Sequence, residues 1–459
     1  MKRGVRNAME VENLRRLHPE IEYIRKWTLL AILIGMVSGV AAIIFYEAIK
    51  ICNKIFLEYI AGYVPPTPAG EGNLMPLFPR NPILIPLATT LGGLLSGIIV
   101  YSLAPEAEGN GTDAAIDAYH NKEGEIRPRV PIVKLIASAI TIGSGGSAGR
   151  GGPVAQIGAG FGSFLAKLLH LEPHDRRIAL AAGMGAGVGS IFKAPFGGGL
   201  LAAEILYTND FEVEVLFPAF IASVISYIIF GYIEGWEPIF SCANVTTSYD
   251  LISVLLYAAL GITCGLVGIV YVKSFYGIKD LFEHLSVPKF IKPAIGGFFV
   301  GIIGIFFPQV LEMGYGWLQI LMNEDLRFIP VSILLILVGL KILATSLSIG
   351  SGGSGGVFAP SLVIGGFLGA AMWFIFKAIF STQISLASFV IVGMMAFFGG
   401  VGKVPIAAML MVSEMTGTYS LLVPSMVATP IAYVITGKNT LYRSQPRSKA
   451  DSPAHRTNI

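Results

Sequence analysis

Long apolar runs dominate the pattern of hydrophobic and polar positions along the chain. Residues 28–48, 83–104, 251–273 and 331–349 form runs of the length, about 20 residues, that an α-helix needs to cross a bilayer. Only 13% of all residues are charged, whereas soluble proteins average about 25%. The pattern therefore predicts an all-α protein that crosses a membrane several times.

Two polar ends flank this apolar part, residues 1–26 and 437–459. Both are rich in Lys and Arg, which favour the cytoplasmic side of a membrane. We therefore predict two cytoplasmic termini, an even number of crossings and a place in the cell membrane. The first apolar run is too long and starts too late for a cleavable signal. The net charge of +3 gives no indication of nucleic-acid binding, and the three cysteines lack the spacing of a disulfide framework or metal site.

The chain contains an internal repeat. Residues 134–153 and 341–360 are identical at ten positions, including the run Ile-Gly-Ser-Gly-Gly-Ser. A second set recurs 210 residues further on, with Lys193, Pro195 and Glu204 matched by Lys403, Pro405 and Glu414. Duplicated halves with glycine- and proline-interrupted apolar segments indicate a binding site between the repeats. We predict one membrane repeat over residues 27–275 and a second over 276–436.

Each repeated segment places a Gly-Ser loop directly before a proline, Pro153 or Pro360. Proline followed by apolar residues predicts the start of a helix. A helix N-terminus carries unpaired N–H groups and about half a positive charge, which attract an anion. The alternative is helix packing, which also uses small residues. We favour packing for single glycines such as Gly158 or Gly366, and anion binding for the paired loops.

These segments resemble the CLC chloride channel and transporter family, and the resemblance covers about residues 27–442. Residues 109–113 resemble its G-S-G-I-P signature, 149–153 resemble G-K/R-E-G-P, and 356–360 match G-x-F-x-P completely. Residues 437–442 resemble the G-x-x-x-x-Tyr ending. The resemblance implies an all-α polytopic fold of two inverted-topology repeats with an anion pore at their interface. It also implies a homodimer with one pore per subunit, and we expect no cytoplasmic nucleotide-binding pair after residue 459.

By that resemblance, backbone amides of the loops surround the anion and a tyrosine hydroxyl closes its inner end. The implied pore residues are Asn110, Gly111, Arg150, Gly151, Gly152, Val357, Phe358 and Tyr442. Asn110 replaces the usual serine, so the permeant ion stays open between chloride, nitrate, bromide and another halide. Alternatively, Asn110 caps the next helix, for which asparagine is well suited.

Two departures from the family pattern bear on mechanism. Proton-coupled exchangers of the family carry a gating glutamate in the second signature, and here that position is Gly151. Their inner proton glutamate aligns with Ile205. We therefore predict a passive chloride or small-anion channel that is not coupled to protons. The alternative is a proton-coupled chloride antiporter of the same family that uses Glu204, Glu414 or Asp113. For Glu204 and Glu414 we favour a structural task, the holding of a loop backbone.

Enzymatic chemistry has little support in the sequence. The six histidines lie outside the central apolar runs, and no His/His or Cys/His arrangement lies within one. We therefore predict neither an enzyme, nor a cofactor, nor a metal site. The predicted partners are a small anion, the lipid bilayer and a second copy of the chain.

Overall fold

The computed structural model describes residues 2–458 apart from 73, 243, 244, 249, 381 and 382, and it describes no side chain before residue 23 or after residue 455. Sixteen α-helices lie in this part of the chain. The first eight are α1 (Lys2–Asn53), α2 (Ile85–Leu103), α3 (Gly111–Asn121), α4 (Arg129–Gly143), α5 (Gly151–Leu168), α6 (Pro173–Ile191), α7 (Pro195–Glu204) and α8 (Val213–Glu234). The second eight are α9 (Leu251–His284), α10 (Lys292–Phe306), α11 (Tyr315–Met322), α12 (Leu334–Gly350), α13 (Phe358–Ile379), α14 (Leu386–Gly402), α15 (Pro405–Thr416) and α16 (Leu422–Thr436).

The apolar runs form membrane-crossing helices, as predicted. Among the described residues, eight helical segments are long and apolar enough to span a bilayer. Their outward faces carry large apolar side chains such as Leu33, Ile44 and Leu95, which suit contact with lipid rather than water. No β-sheet forms within the described ranges, where the only bridges are two isolated residue pairs. The prediction of an all-α polytopic protein built from two inverted repeats is confirmed.

The two halves pack alike. In the first half α1 packs against α6 and α8, and in the second half α9 packs against α14 and α16. The halves meet through like helices, α2 against α10 and α7 against α15. The division predicted between residues 275 and 276 falls inside α9, which is one continuous helix. Because α9 occupies the place in its half that α1 occupies in the first, we propose that the halves divide in the connection between α8 and α9.

The two predicted polar ends differ in form. Residue 1 and the side chains up to residue 22 lie outside the described part, and the backbone of residues 2–26 belongs to α1. The C-terminal segment has no long helix and packs on the connection between α7 and α8. There the amide of Thr208 donates to the carbonyl of Pro446 (3.0 Å), and the amide of Asn209 donates to that of Arg447 (2.9 Å). This tail thus runs back along the body of the protein.

Single glycines serve helix packing, as predicted for Gly158. A Cβ atom at Gly158 would run into the carbonyl of Gly183 on α6, and one at Gly183 would run into the carbonyl of Gly158. The second half repeats this arrangement between Gly365 and Gly393, on α13 and α14. Backbones that approach this closely exclude any side chain, which explains why glycine stands at these four positions.

Candidate anion pathway

The repeated glycine loops meet at the centre of the protein. The amide of Gly149 donates to the carbonyl of Gly356 (2.7 Å), and the amide of Gly356 donates back to the carbonyl of Gly149 (2.8 Å). A third loop joins them, because the amide of Gly355 donates to the carbonyl of Gly109 (3.2 Å). The loops before α3, α5 and α13 therefore form one unit, although they lie far apart in the sequence.

Three helices begin at this unit, namely α3 at Gly111, α5 at Gly151 and α13 at Phe358. The helix starts predicted from Pro153 and Pro360 are confirmed, since both prolines lie in the first turn of α5 and α13. The first N–H groups of these three helices, and the partial positive charges of their N-termini, therefore lie close together. A place where several helix N-termini meet is suited to a small anion.

Asn110 uses part of its side chain to cap α3. Its Oδ1 accepts from the amide of Thr112 (3.3 Å), which is the capping alternative raised above. Its Nδ2 is buried and has no hydrogen-bond partner among the described residues. A Cβ atom added to Gly152 would lie 2.6 Å from Asn110 Oδ1, so the asparagine packs directly against the start of α5. Asn110 therefore holds the α3 terminus and retains an unused donor group beside Gly152.

Two aromatic residues, Phe192 and Phe358, lie against the position of Gly151. A Cβ atom at Gly151 would lie 3.0 Å from Phe192 Cε2 and 3.2 Å from Phe358 Cβ. The rings of Phe192 and Phe358 are 4.6 Å apart, and Phe398 meets Phe358 edge-on at 4.5 Å. All three rings are buried. The space that a longer residue at position 151 would need is therefore filled by the ring of Phe192.

Tyr442 is buried on the opposite side of the loops. Its side chain lies next to that of Thr112, in the first turn of α3. Two main-chain contacts hold this segment, since the amide of Leu441 donates to the carbonyl of Val401 (2.9 Å) and Tyr276 Oη donates to the carbonyl of Leu441 (2.8 Å). Tyr442 therefore reaches the predicted pore residues through α3.

A polar cavity of about 340 Å³ opens beside this tyrosine. Its lining includes Asn110, Asp113, Tyr276, Lys279 and Ser444. Asp113 lies near the start of α3, and its Oδ1 accepts from the amide of Ser444 (2.9 Å). The cavity therefore borders the start of α3 at Asn110.

Arg150 contributes a side chain as well as a backbone amide. The whole residue is buried, and its guanidinium pairs with the carboxylate of Glu71, from the connection between α1 and α2. The rings of Tyr46, Phe192 and Tyr315 surround it, with 5.2, 5.4 and 5.8 Å between the guanidinium carbon and the ring centres. Phe192 thus separates the guanidinium from Gly151.

Glu204 and Glu414 hold each other's helices. The two carboxylate oxygens of Glu204, at the end of α7, accept from the amides of Ile406 (3.1 Å) and Ala407 (2.6 Å) at the start of α15. Glu414, near the end of α15, accepts in the same way from the amides of Phe196 and Gly197 (3.1 and 2.7 Å) at the start of α7. Both carboxylates thus hold backbone amides as predicted, although these amides belong to the first turn of a helix rather than to a loop. Each carboxylate also meets the positive end of the facing helix.

Comparison with known proteins decides the family. The family model "Voltage gated chloride channel" matches residues 92–437. This chain belongs to the voltage-gated chloride channel, or CLC, family. The recognition made from the sequence is therefore confirmed, and the chain is placed among channels and transporters rather than enzymes.

Relatives in this family extend over most of the chain. An uncharacterised protein of Methanocaldococcus jannaschii is 31% identical, with 91% of this chain and 95% of that protein covered. The "H(+)/Cl(-) exchange transporter ClcA" of Salmonella arizonae is 28% identical, with 89% and 86% covered. The crystal structure of a slow cyanobacterial Cl⁻/H⁺ antiporter matches with a TM-score of 0.79 at 24% identity, over 91% of this chain and 96% of that one. That structure shares the fold.

The structure brings the predicted pore residues close together, and it places beside them two residues that the sequence did not indicate. Asn110, Gly111, Gly151 and Gly152 lie at the meeting loops with Val357 and Phe358, while Tyr442 contacts them through Thr112. Phe192 and Glu71 were missed. Phe192 could have been found from the sequence, because it directly precedes Lys193, the first residue of a repeated set. Glu71 lies in a proline-rich connection that carries no such signal.

Proposed function

We propose that this protein is a passive channel for chloride or another small anion, without coupling to protons. One observation carries the proposal: at Gly151, where the coupled exchangers of the family resemblance have a gating glutamate, no side chain exists and the ring of Phe192 fills the adjoining space. A ring cannot bind or release a proton. The inner position, Ile205, is buried and apolar as well.

The anion site in this proposal consists of Asn110, Gly111, Arg150, Gly151, Gly152, Val357, Phe358 and Tyr442. Support comes from the three helix N-termini that begin at these loops, since such termini bind an anion weakly enough to release it. The free Nδ2 of Asn110 can add one further donor. This donor favours anions that accept hydrogen bonds well, including nitrate as well as chloride.

The second candidate is a proton-coupled chloride antiporter. It is favoured by the relatives named as H⁺/Cl⁻ exchangers. In this reading Asp113, Glu204 or Glu414 carries the proton. Each of these carboxylates already accepts backbone amide hydrogen bonds, from Ser444, from α15 and from α7 respectively. Such bonds hold a carboxylate in place, which favours a structural task over proton carriage.

Reconstituted liposomes test the two candidates directly. Protein in vesicles with a chloride gradient and no pH gradient is followed with a pH-sensitive dye and a chloride electrode. A channel releases chloride in the presence of a potassium ionophore and builds up no pH gradient. Uphill proton movement that is driven by the chloride gradient would establish the antiporter instead.

We further propose a homodimer with one pore per subunit, located in the cell membrane with both termini in the cytoplasm. The dimer follows from the family resemblance, and the orientation follows from the basic residues of both ends. The cavity lined by Asn110 and Ser444 then faces the cytoplasm. The connection that carries Glu71 faces outside. Light scattering of the detergent-solubilised protein measures the number of subunits, and labelling of Cys residues introduced at residues 438 and 71 measures the orientation.

A further inference from the structure

The residue directly before Gly151 carries a positive charge that is completely buried. Arg150 is 0% exposed, and three aromatic rings enclose its guanidinium. A buried guanidinium requires a negative partner and hydrogen-bond acceptors for its N–H groups. The carboxylate of Glu71, whose side chain is 7% exposed, meets Nη2.

This pairing uses only some of the hydrogen-bond donors of the guanidinium. Within the described part of the chain, neither Nε nor Nη1 of Arg150 has a hydrogen-bond partner, although both are buried. An Arg–carboxylate pair that served stability alone would commonly be bidentate, with two parallel hydrogen bonds. Glu71 therefore leaves donor groups of Arg150 available for another acceptor.

We propose that the Arg150 guanidinium is an outer binding site for the permeant anion, which the Glu71 carboxylate occupies as a tethered competitor. This inference rests on the proposed anion pathway, but it holds for a channel and for an exchanger alike. Glu71 acts from another segment of the chain at the end of the pathway where Gly151 supplies no carboxylate. A chloride ion and a carboxylate oxygen compete for the same N–H donors, so an anion enters when Glu71 withdraws.

The connection that carries Glu71 is anchored at Gly70, the residue directly before it. The amide of Gly70 donates to the carbonyl of Ile239 (3.0 Å), and Lys193 Nζ donates to the carbonyl of Gly70 (3.3 Å). These contacts fix the backbone, so exchange at the site requires only a side-chain movement. A cavity of about 40 Å³ borders Glu71 and is lined in part by Tyr315 and Trp317. It is large enough for a carboxylate group, or a water molecule, displaced from the guanidinium.

Thermal unfolding in detergent tests the site without any transport measurement. In the Glu71→Gln variant the competitor loses its charge, and Arg150 needs a free anion. We expect its melting temperature to be lower than that of the unmodified protein at low chloride, and to rise more steeply when chloride replaces gluconate at constant ionic strength, because a ligand that binds the folded state stabilises it. The matched control is Glu58→Gln, an exposed carboxylate in the same connection between α1 and α2. Equal chloride dependence in all three proteins would overturn the proposal.

A second experiment measures whether the charge at position 71 restricts anion flux. Glu71→Cys is recorded in planar bilayers before and after an anionic and a cationic methanethiosulfonate reagent of similar size, with the unmodified protein as control for the native cysteines. We expect a several-fold higher flux in the variant, and reversal of this gain by the anionic reagent alone. Block by both reagents equally, or by neither, contradicts a charge-based competitor. Reversal potentials under a pH gradient, recorded in the same bilayers, report separately on the channel proposal.

Discussion

Lys134 and Lys341, 207 residues apart, hold the two halves of the pathway in the same way. Both are fully buried in α4 and α12. Each ammonium group donates to two backbone carbonyls in the turn that precedes α3 or α11, those of Ala107 and Gly109 (3.0 and 2.7 Å) and those of Val310 and Glu312 (2.9 and 2.7 Å). The lysine that opens each repeated segment thus holds a turn that lies about 25–30 residues earlier in the chain, and Lys134 places its charge beside Gly111.

Lys134→Met removes this fastening at almost the same side-chain length. We expect a loss of about 1–3 kcal/mol in the free energy of unfolding for each buried carbonyl left without a donor. Anion flux should fall as well, because the α3 terminus loses both its anchor and a nearby positive charge. Thermal unfolding and liposome flux measure the two effects. Lys341→Met is the matched control, with a similar loss of stability and a smaller loss of flux.

Gly151→Glu should close the pathway. The new side chain must displace Phe192, which already lies in contact with the Cβ position, and its carboxylate competes with the anion at the start of α5. If the carboxylate weakens anion binding by about 1.4 kcal/mol, the affinity of the site for chloride falls about tenfold. We expect chloride flux to fall by about this factor. The control is Gly151→Ala, which adds a small side chain at this position without a charge. Equal flux in the glutamate variant and the unmodified protein would show that position 151 does not face the pathway.

Phe192→Leu should widen the constriction beside Gly151. The smaller side chain leaves Phe358 without its neighbour at 4.6 Å, so we expect larger anions such as thiocyanate to gain permeability relative to chloride. The expected cost in stability is about 1–3 kcal/mol, as is typical when a buried side chain is reshaped. Bi-ionic reversal potentials measure the permeability ratio. Phe196→Leu, at an exposed position on α7, should leave the ratio unchanged.

Glu204→Gln and Glu414→Gln separate a structural task from proton transfer. An amide offers one acceptor oxygen where the carboxylate offers two, so each variant leaves one backbone N–H of the facing helix unpaired. We expect a loss of about 1–3 kcal/mol in unfolding free energy for each, with no effect on the reversal potential under a pH gradient. A reversal potential that depends on pH in the unmodified protein but not in one of these variants would identify that glutamate as the proton carrier.

The packing of the C-terminal tail should depend on pH. Burial raises the pKa of Glu212, but hydrogen bonds from Lys449 and Tyr207 outweigh it, so the net pKa is lowered. Burial also lowers the pKa of His120 to about 4. Both groups bind fewer protons in the folded than in the unfolded state, so stability falls as the pH drops, from below about 6.5 for His120 and below about 4.5 for Glu212.

Limited proteolysis over a pH series measures this effect. We expect cleavage after residue 445 to increase between about pH 6 and pH 4, the range between the ordinary pKa values of histidine and glutamate, since His120 accepts or donates a hydrogen bond with Ser452 in the tail (2.7 Å). His120→Gln should remove the upper part of the transition. The same cleavage at every pH would contradict the dependence of tail packing on the protonation of His120 and Glu212.

Sequence patterns were sufficient for the helices, the repeat and the central loops, and insufficient for Glu71 and Phe192, which lie beside the proposed pathway. Apolar length and the Gly-Ser-Pro segments are local properties, so they could be read directly. Glu71 reaches Arg150, and Phe192 reaches Gly151, only through the packing of segments that are distant in sequence. The predicted division of the halves falls inside α9, whose charged C-terminal end resembles a boundary in the sequence.

The pair of hydrogen bonds between Gly149 and Gly356 also limits how the protein can move. Rocking one repeat against the other, as many secondary transporters do to alternate access, would separate these main-chain groups at the centre of the membrane. Each unpaired group there costs several kcal/mol. We therefore expect the two repeats to behave as one rigid frame, which leaves opening and closing to movements of individual side chains.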